Sequence, residues 1–166
     1  MRYALQPMIL AAIMQAAVLD RVAVTAGKEV ITESEVIEEM RVTDFLNQAP
    51  FDPGPVARRA AADRLVDQSL IRTEMSLEGA PRPQAGAADQ TLRQFKQAHF
   101  HTPAQYQASL EKYGITEEDL KQHLLWQVAA VRFTQQRFGK ENRDLDAWLK
   151  QTRSQTKIKF HQEAFE

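Results

Sequence analysis

His99 and His101 alternate around Phe100, the one close pair among the four histidines. An alternating His pair on a strand can chelate a metal, but Thr102-Pro103 directly after it reads as a helix start and no carboxylate stands at a matching spacing. No metal site is expected there. Glu33, Glu35, Glu38 and Glu39 crowd one short stretch, where a carboxylate pair could divide general-acid and general-base work. That chemistry needs a cleft that drives two pKa values apart, whereas acidic residues also gather at a helix start simply because the dipole is positive there. The second reason is sufficient for this cluster. With no cysteine, thiol nucleophiles, thiolate zinc sites and redox pairs are excluded. The chain also lacks a glycine-rich phosphate loop, a nucleophile elbow and a zincin motif. The expectation is a non-enzyme without cofactor, metal or catalytic residues.

Binding chemistry is the alternative. Lys150, Arg153, Lys157 and Lys159 form a basic patch near the carboxy terminus. Yet 21 Lys plus Arg stand against 22 Asp plus Glu, so no basic excess favours nucleic acid or acidic membranes. On a helix end and an alternating strand these residues read as a solvated face. Large apolar groups are more informative: Phe45, Phe51, Phe95, Phe100, Tyr106, Tyr113, Trp126, Phe133 and Phe138 are spread over helices and helix edges. Most must be core. Long helices around a small sheet also leave concave apolar surface between their arms, and such surface binds peptides or partner proteins. Phe95, Phe100, Tyr106 and Tyr113, beyond the loop at 79–86, are the candidates to line a peptide-binding groove.

The elements that would position these groups follow from local pattern. Asp20 to Thr25 and Glu29 to Thr32 are β-branched runs around Ala26-Gly27-Lys28, a short hairpin. Thr32 and Glu35 make a capping box for a helix over 33–48, with Val36, Ile37, Met40 and Phe45 on its apolar stripe and Pro50, Pro53 and Pro55 to stop it. A long helix from Val56 to Gly79 carries Ala60, Leu65, Val66, Leu70, Ile71 and Met75. After the linker-like Gly79 to Gly86, helices are expected over 87–99 and from Pro103, capped by Thr102, to Gly114. Thr116 and Asp119 start a helix to Gly139 with Leu120, Leu124, Leu125, Val128, Val131 and Phe133 inside. A helix over 143–155 and a strand over 156–161 complete the chain, and the strand's one available partner is the hairpin. The expected fold is mainly α, closed by a small antiparallel sheet that joins the two ends.

A chain of 166 residues, 43% apolar and 26% charged, has ordinary single-domain composition. Arg2 precedes an uncharged apolar run from Met8 to Val18, eleven residues long and too short for a membrane-spanning helix of about 20. It fits the apolar region of a secretory signal followed by the small residues Ala16 and Ala17, although Met14 or Gln15 then occupies a position that prefers a small residue. An amino-terminal core helix of a cytoplasmic protein fits the same run. The export reading makes 1–17 a signal peptide and 18–166 one domain; no Cys follows the run, so it lacks a lipobox.

Leu19-Asp20-Arg21-Val22-Ala23-Val24 with Val30-Ile31-Thr32-Glu33-Ser34-Glu35-Val36 resembles the opening hairpin and first helix of SurA-type periplasmic chaperones and their foldase relatives. Leu65-Val66-Asp67-Gln68-Ser69-Leu70-Ile71 is similar to the long second helix of that module, and Tyr106 to Leu120 to its paired later helices. Trp148 to Arg153, then Ile158-Lys159-Phe160, resembles the closing helix and strand. The family carries parvulin-type isomerase domains before that closing helix; here Phe138 to Arg143 connects directly.

The resemblance therefore implies a periplasmic, or otherwise exported, ATP-independent holdase without isomerase activity. Its partners would be unfolded or partly folded chains, outer-membrane proteins among them, with no nucleic acid and no stable membrane insertion. Adaptable side chains suit such clients, which adds Met40 and Met75 to the candidate contacts. The closing helix and strand could also be swapped between two copies to form a homodimer. The alternative function is a non-enzymatic adaptor or assembly subunit dedicated to one folded partner.

Overall fold

Three reciprocal caps set the helix starts. In a computed structural model, which describes residues 20–139 and 142–166, the Thr32 amide donates to Glu35 Oε2 at 2.7 Å while Thr32 Oγ1 accepts from the Glu35 amide at 3.3 Å. Thr102 with Gln105 and Thr116 with Asp119 repeat the arrangement. The apolar run at 8–18 and the signal peptide expected at 1–17 lie outside the described residues.

Strands β1 (Val22–Ala26) and β2 (Glu29–Thr32) form the expected hairpin, turned at Gly27, whose φ of 64° suits glycine. Helices α1 (Glu33–Leu46) and α2 (Pro55–Leu77) follow. A single 3-10 turn, Ala85–Ala88, leads into α3 (Asp89–His99), then come α4 (Pro103–Tyr113), α5 (Glu117–Phe138) and α6 (Asn142–Gln155). Strand β3 (Ile158–Phe160) returns to pair antiparallel with β1, Val24 opposite Phe160 and Ala26 opposite Ile158, giving the order β2-β1-β3. The fold is thus mainly α with a small three-stranded antiparallel sheet. In this single chain α6 and β3 close on the chain's own body: Arg153 reaches Asp63 of α2 at 2.7 Å and also pairs with Asp67, and Arg59 lies 3.4 Å over the Phe160 ring.

Some expectations need correction. α1 ends at Leu46 rather than Gln48, because Gln48 takes a positive φ of 53° and its side-chain amide donates to the Phe45 carbonyl at 2.6 Å. Turn geometry, ahead of the prolines, stops the helix. On α2 the buried alanines are Ala61 and Ala62, while Ala60 is exposed. Val131 of α5 is half exposed, with no described element burying it. Arg153 belongs to the α2–α6 ion pairs and not to a solvated basic face; Lys150, Lys157 and Lys159 are exposed.

Two apolar cores share α1. Val36 and Met40 pack with Ala23, Val24, Leu65, Val66 and Phe165 beneath the sheet. Val42 and Phe45, further along the same helix, pack with Leu92, Tyr106, Leu110, Leu120 and Leu124 among α3, α4 and α5. Phe45 is fully buried, and its ring centroid lies 5.5–6.2 Å from those of Phe95, Phe100, Tyr106 and Tyr113. Truncating such a hub removes its transfer free energy and leaves a void. Phe45→Ala is expected to cost about 3–5 kcal/mol in urea denaturation, and Phe95→Ala, at a half-buried ring, roughly half as much; equal losses would contradict the hub assignment.

Candidate functional site

The expected groove residues are brought together, but inward. Tyr106 is 6% exposed; Phe95, Phe100 and Tyr113 are half-buried around Phe45, and the Tyr113 hydroxyl donates to the Ala49 carbonyl at 2.6 Å. Met40, 3% exposed, belongs to the core beneath the sheet. In this conformation neither Met40 nor Tyr106 presents a contact surface, because α1 threads between the two cores and covers both. Met75 is different.

Met75 stands near the end of α2, where the chain turns by a complete Schellman motif. The Ala80 amide donates to the Met75 carbonyl at 2.8 Å, the Gly79 amide donates to the Ser76 carbonyl at 3.2 Å, and Gly79 adopts a φ of 64°. Pro81 and Pro83 then supply no amide donors and hold the chain extended as it crosses toward α5. The result is an open cleft of about 330 Å³. Met75 forms one wall, the 80–84 segment another, and Val128, Ala129, Arg132, Phe133 and Gln136 of α5 the third. Phe133 and Ala129 are buried at its floor, whereas Arg82, Gln84, Arg132 and Gln136 are exposed at its rim.

Two contacts join α2 and α5. At one end the Arg72 guanidinium lies 4.5 Å from the Trp126 ring centroid. At the other, Arg137 pairs with Glu74 at 2.6 Å and with Glu78. A site of this volume falls at the lower end of the roughly 300–1,000 Å³ typical of ligand pockets. It has room for one or two side chains of an extended segment, and among the described residues no carboxylate, hydroxyl or imidazole lines it. Sequence reasoning treated 79–86 as a linker and missed it as a wall. The available signal was the i, i+4, i+8 row Val128, Arg132, Gln136 beside Ala129 and Phe133, a half-apolar stripe that a fully buried helix face would not carry.

Two further clefts are lined largely by charged side chains. One of about 610 Å³ lies against α1 and the α4–α5 turn. Charged side chains there are engaged locally: Arg21 pairs with Glu33 at 3.8 Å and Arg41 donates to the Gly114 carbonyl at 3.4 Å. The other, about 340 Å³, contains Glu35, Glu38, Glu39, Asp119 and His123. Glu39 is buried, so its presence there is not explained by the helix dipole; its Oε1 accepts from Gln68 at 3.2 Å and from Thr43 at 3.4 Å, with Arg64 at 3.6 Å. His123 Nδ1 lies 3.6 Å from Glu39 Oε2. This network satisfies a buried carboxylate between α1, α2 and α5. Burial, followed by the neighbouring carboxylates Asp119, Glu35 and Glu39, raises the Glu38 pKa. Burial also holds His123 below its ordinary value, with Arg72 and Arg64 acting in the same sense and Glu39 against it.

Among the described residues no group of three or more His, Asp or Glu side chains is arranged to hold a metal, and no helix is long and apolar enough to cross a membrane. Comparison of the chain with protein-family models, curated proteins and solved structures finds no match.

A depressed histidine contributes stability above its unfolded pKa of about 6.5 and loses it as pH falls through the lower folded value. The melting temperature is therefore expected to fall as pH is lowered from 7.5 through 6 and below. His123→Gln should flatten that slope in differential scanning calorimetry; an unchanged slope would remove His123 from the network's energetics.

Proposed function

We infer that this chain is an ATP-independent holdase-type chaperone that shields extended apolar or aromatic segments of unfolded exported proteins. The observation that carries the reading is the α2–α5 cleft. Its floor is apolar, its rim is polar, α2 and α5 are joined by Arg72 over Trp126 and by Arg137 with Glu74, and among the described residues no carboxylate, hydroxyl or imidazole lines it. Weak burial of one or two side chains at a time suits many sequences and releases them without an energy source. Met75 contributes the adaptable part of the wall.

The order of elements adds support. An amino-terminal hairpin, a helical body, and a closing helix and strand that return to the hairpin are what the resemblance to SurA-type chaperones implies for a module without its isomerase domains. On this reading the apolar run at 8–18 directs the chain to the periplasm, where unfolded outer-membrane proteins are among the available clients.

The test is light scattering from two unrelated unfolded proteins, one an outer-membrane β-barrel, diluted from denaturant into the purified chain. Dose-dependent suppression is expected for both at near-stoichiometric ratios, weakened in Met75→Glu and Val128→Glu. Aggregation at the same rate with and without the protein would contradict the reading. Suppression confined to one client would favour a dedicated adaptor.

A further inference from the structure

The cleft carries a charge pattern as well as an apolar floor. Arg82 on the proline segment and Arg132 on α5 stand on separate walls, both exposed, and no acidic residue lines the space between those walls. Neither arginine has a carboxylate partner among the described residues. Glu74 and Glu78, on the adjoining stretch of α2, are both held by Arg137. Other arginines packed against helices are paired, as Arg58 with Glu33 and Arg153 with Asp63 and Asp67, whereas Arg82 and Arg132 share one cleft. Two guanidinium groups facing one apolar floor match a carboxylate placed beside an apolar side chain, since Arg pairs with carboxylates in a planar, two-donor geometry.

We propose that the cleft selects extended polypeptide segments in which an Asp or Glu neighbours an aromatic or aliphatic residue, the apolar side chain entering over Phe133 and the carboxylate bridging Arg82 and Arg132. The inference rests on the holdase reading and names the kind of segment held. The carboxylate contributes selectivity and a faster encounter more than raw affinity, as rim charges generally do.

The test uses the full-length chain and three rhodamine-labelled ten-residue peptides of identical apolar content, carrying Glu, Ser or Lys at the polar positions, with binding read by fluorescence anisotropy. The Glu peptide is expected to bind about tenfold more tightly than the Lys peptide at low salt, a size consistent with two exposed charge contacts. The gap should narrow as salt approaches about 0.5 M. R82E/R132E, which changes two exposed residues, should melt at the wild-type temperature and reverse the order of the charged peptides. Equal affinity for all three peptides would overturn the proposal and leave the holdase cleft standing. Binding of none would overturn both, and tighter binding of an oligothymidylate than of the Glu peptide would mark the arginines as a nucleic-acid contact.

Discussion

The domain depends on one helix being buried at both of its ends. α1 delivers Val36 and Met40 to the core beneath the sheet and Val42 and Phe45 to the aromatic core formed by α3, α4 and α5. Glu35 and Glu38 of α1 stay exposed, but Glu39 sits buried between the two sets. Its carboxylate must be satisfied by Gln68, Thr43, Arg64 and His123, which lie on α1, α2 and α5. The apolar cores supply most of the stabilisation, and the network sets the register at which α2 and α5 dock on α1.

That register has a consequence farther along. Farther along both helices from Glu39, the cleft opens between Met75 of α2 and Val128, Ala129 and Phe133 of α5. Arg72 over Trp126 and Arg137 between Glu74 and Glu78 hold them there, and the proline segment crosses the gap without amide donors at positions 81 and 83. The cleft is therefore built into the packing of the domain. Its floor, Ala129 and Phe133, is apolar, and its rim, Arg82, Gln84, Arg132 and Gln136, is polar. At the opposite end the sheet joins the chain's two ends, and the Arg153 ion pairs lock α6 against α2.

Local chemistry was the most legible part of the sequence. Thr32 with Glu35, Thr102 with Pro103, Gly114 and Thr116 with Asp119 act within one helical turn, so the residues alone locate those boundaries. The pairing of β3 with the hairpin could also be reasoned, because a three-residue strand has no stability alone and one partner was available. Which helix covers which was not legible. Periodicity marks the apolar side of α5 but cannot say that Val131 remains half exposed, nor that Phe95, Phe100, Tyr106 and Tyr113 converge on Phe45. Glu39 reads as one more acidic residue of a helix start until α2 and α5 close over it. Of the candidate contacts, Met75 alone lines the cleft, and its partners in the 80–84 segment carry no pattern that separates a wall from a linker.

The central claim is that unfolded polypeptide lies between α2 and α5 and not against the aromatic cluster. Site-specific photocrosslinking tests it directly, with a photoreactive side chain replacing the exposed Gln84 or Gln136 at the cleft rim, or the exposed Gln97 or Gln107 on α3 and α4. Client adducts concentrated at 84 and 136, with few at 97 and 107, are the predicted result. Adducts concentrated at 97 and 107, with none at the rim, would contradict the account.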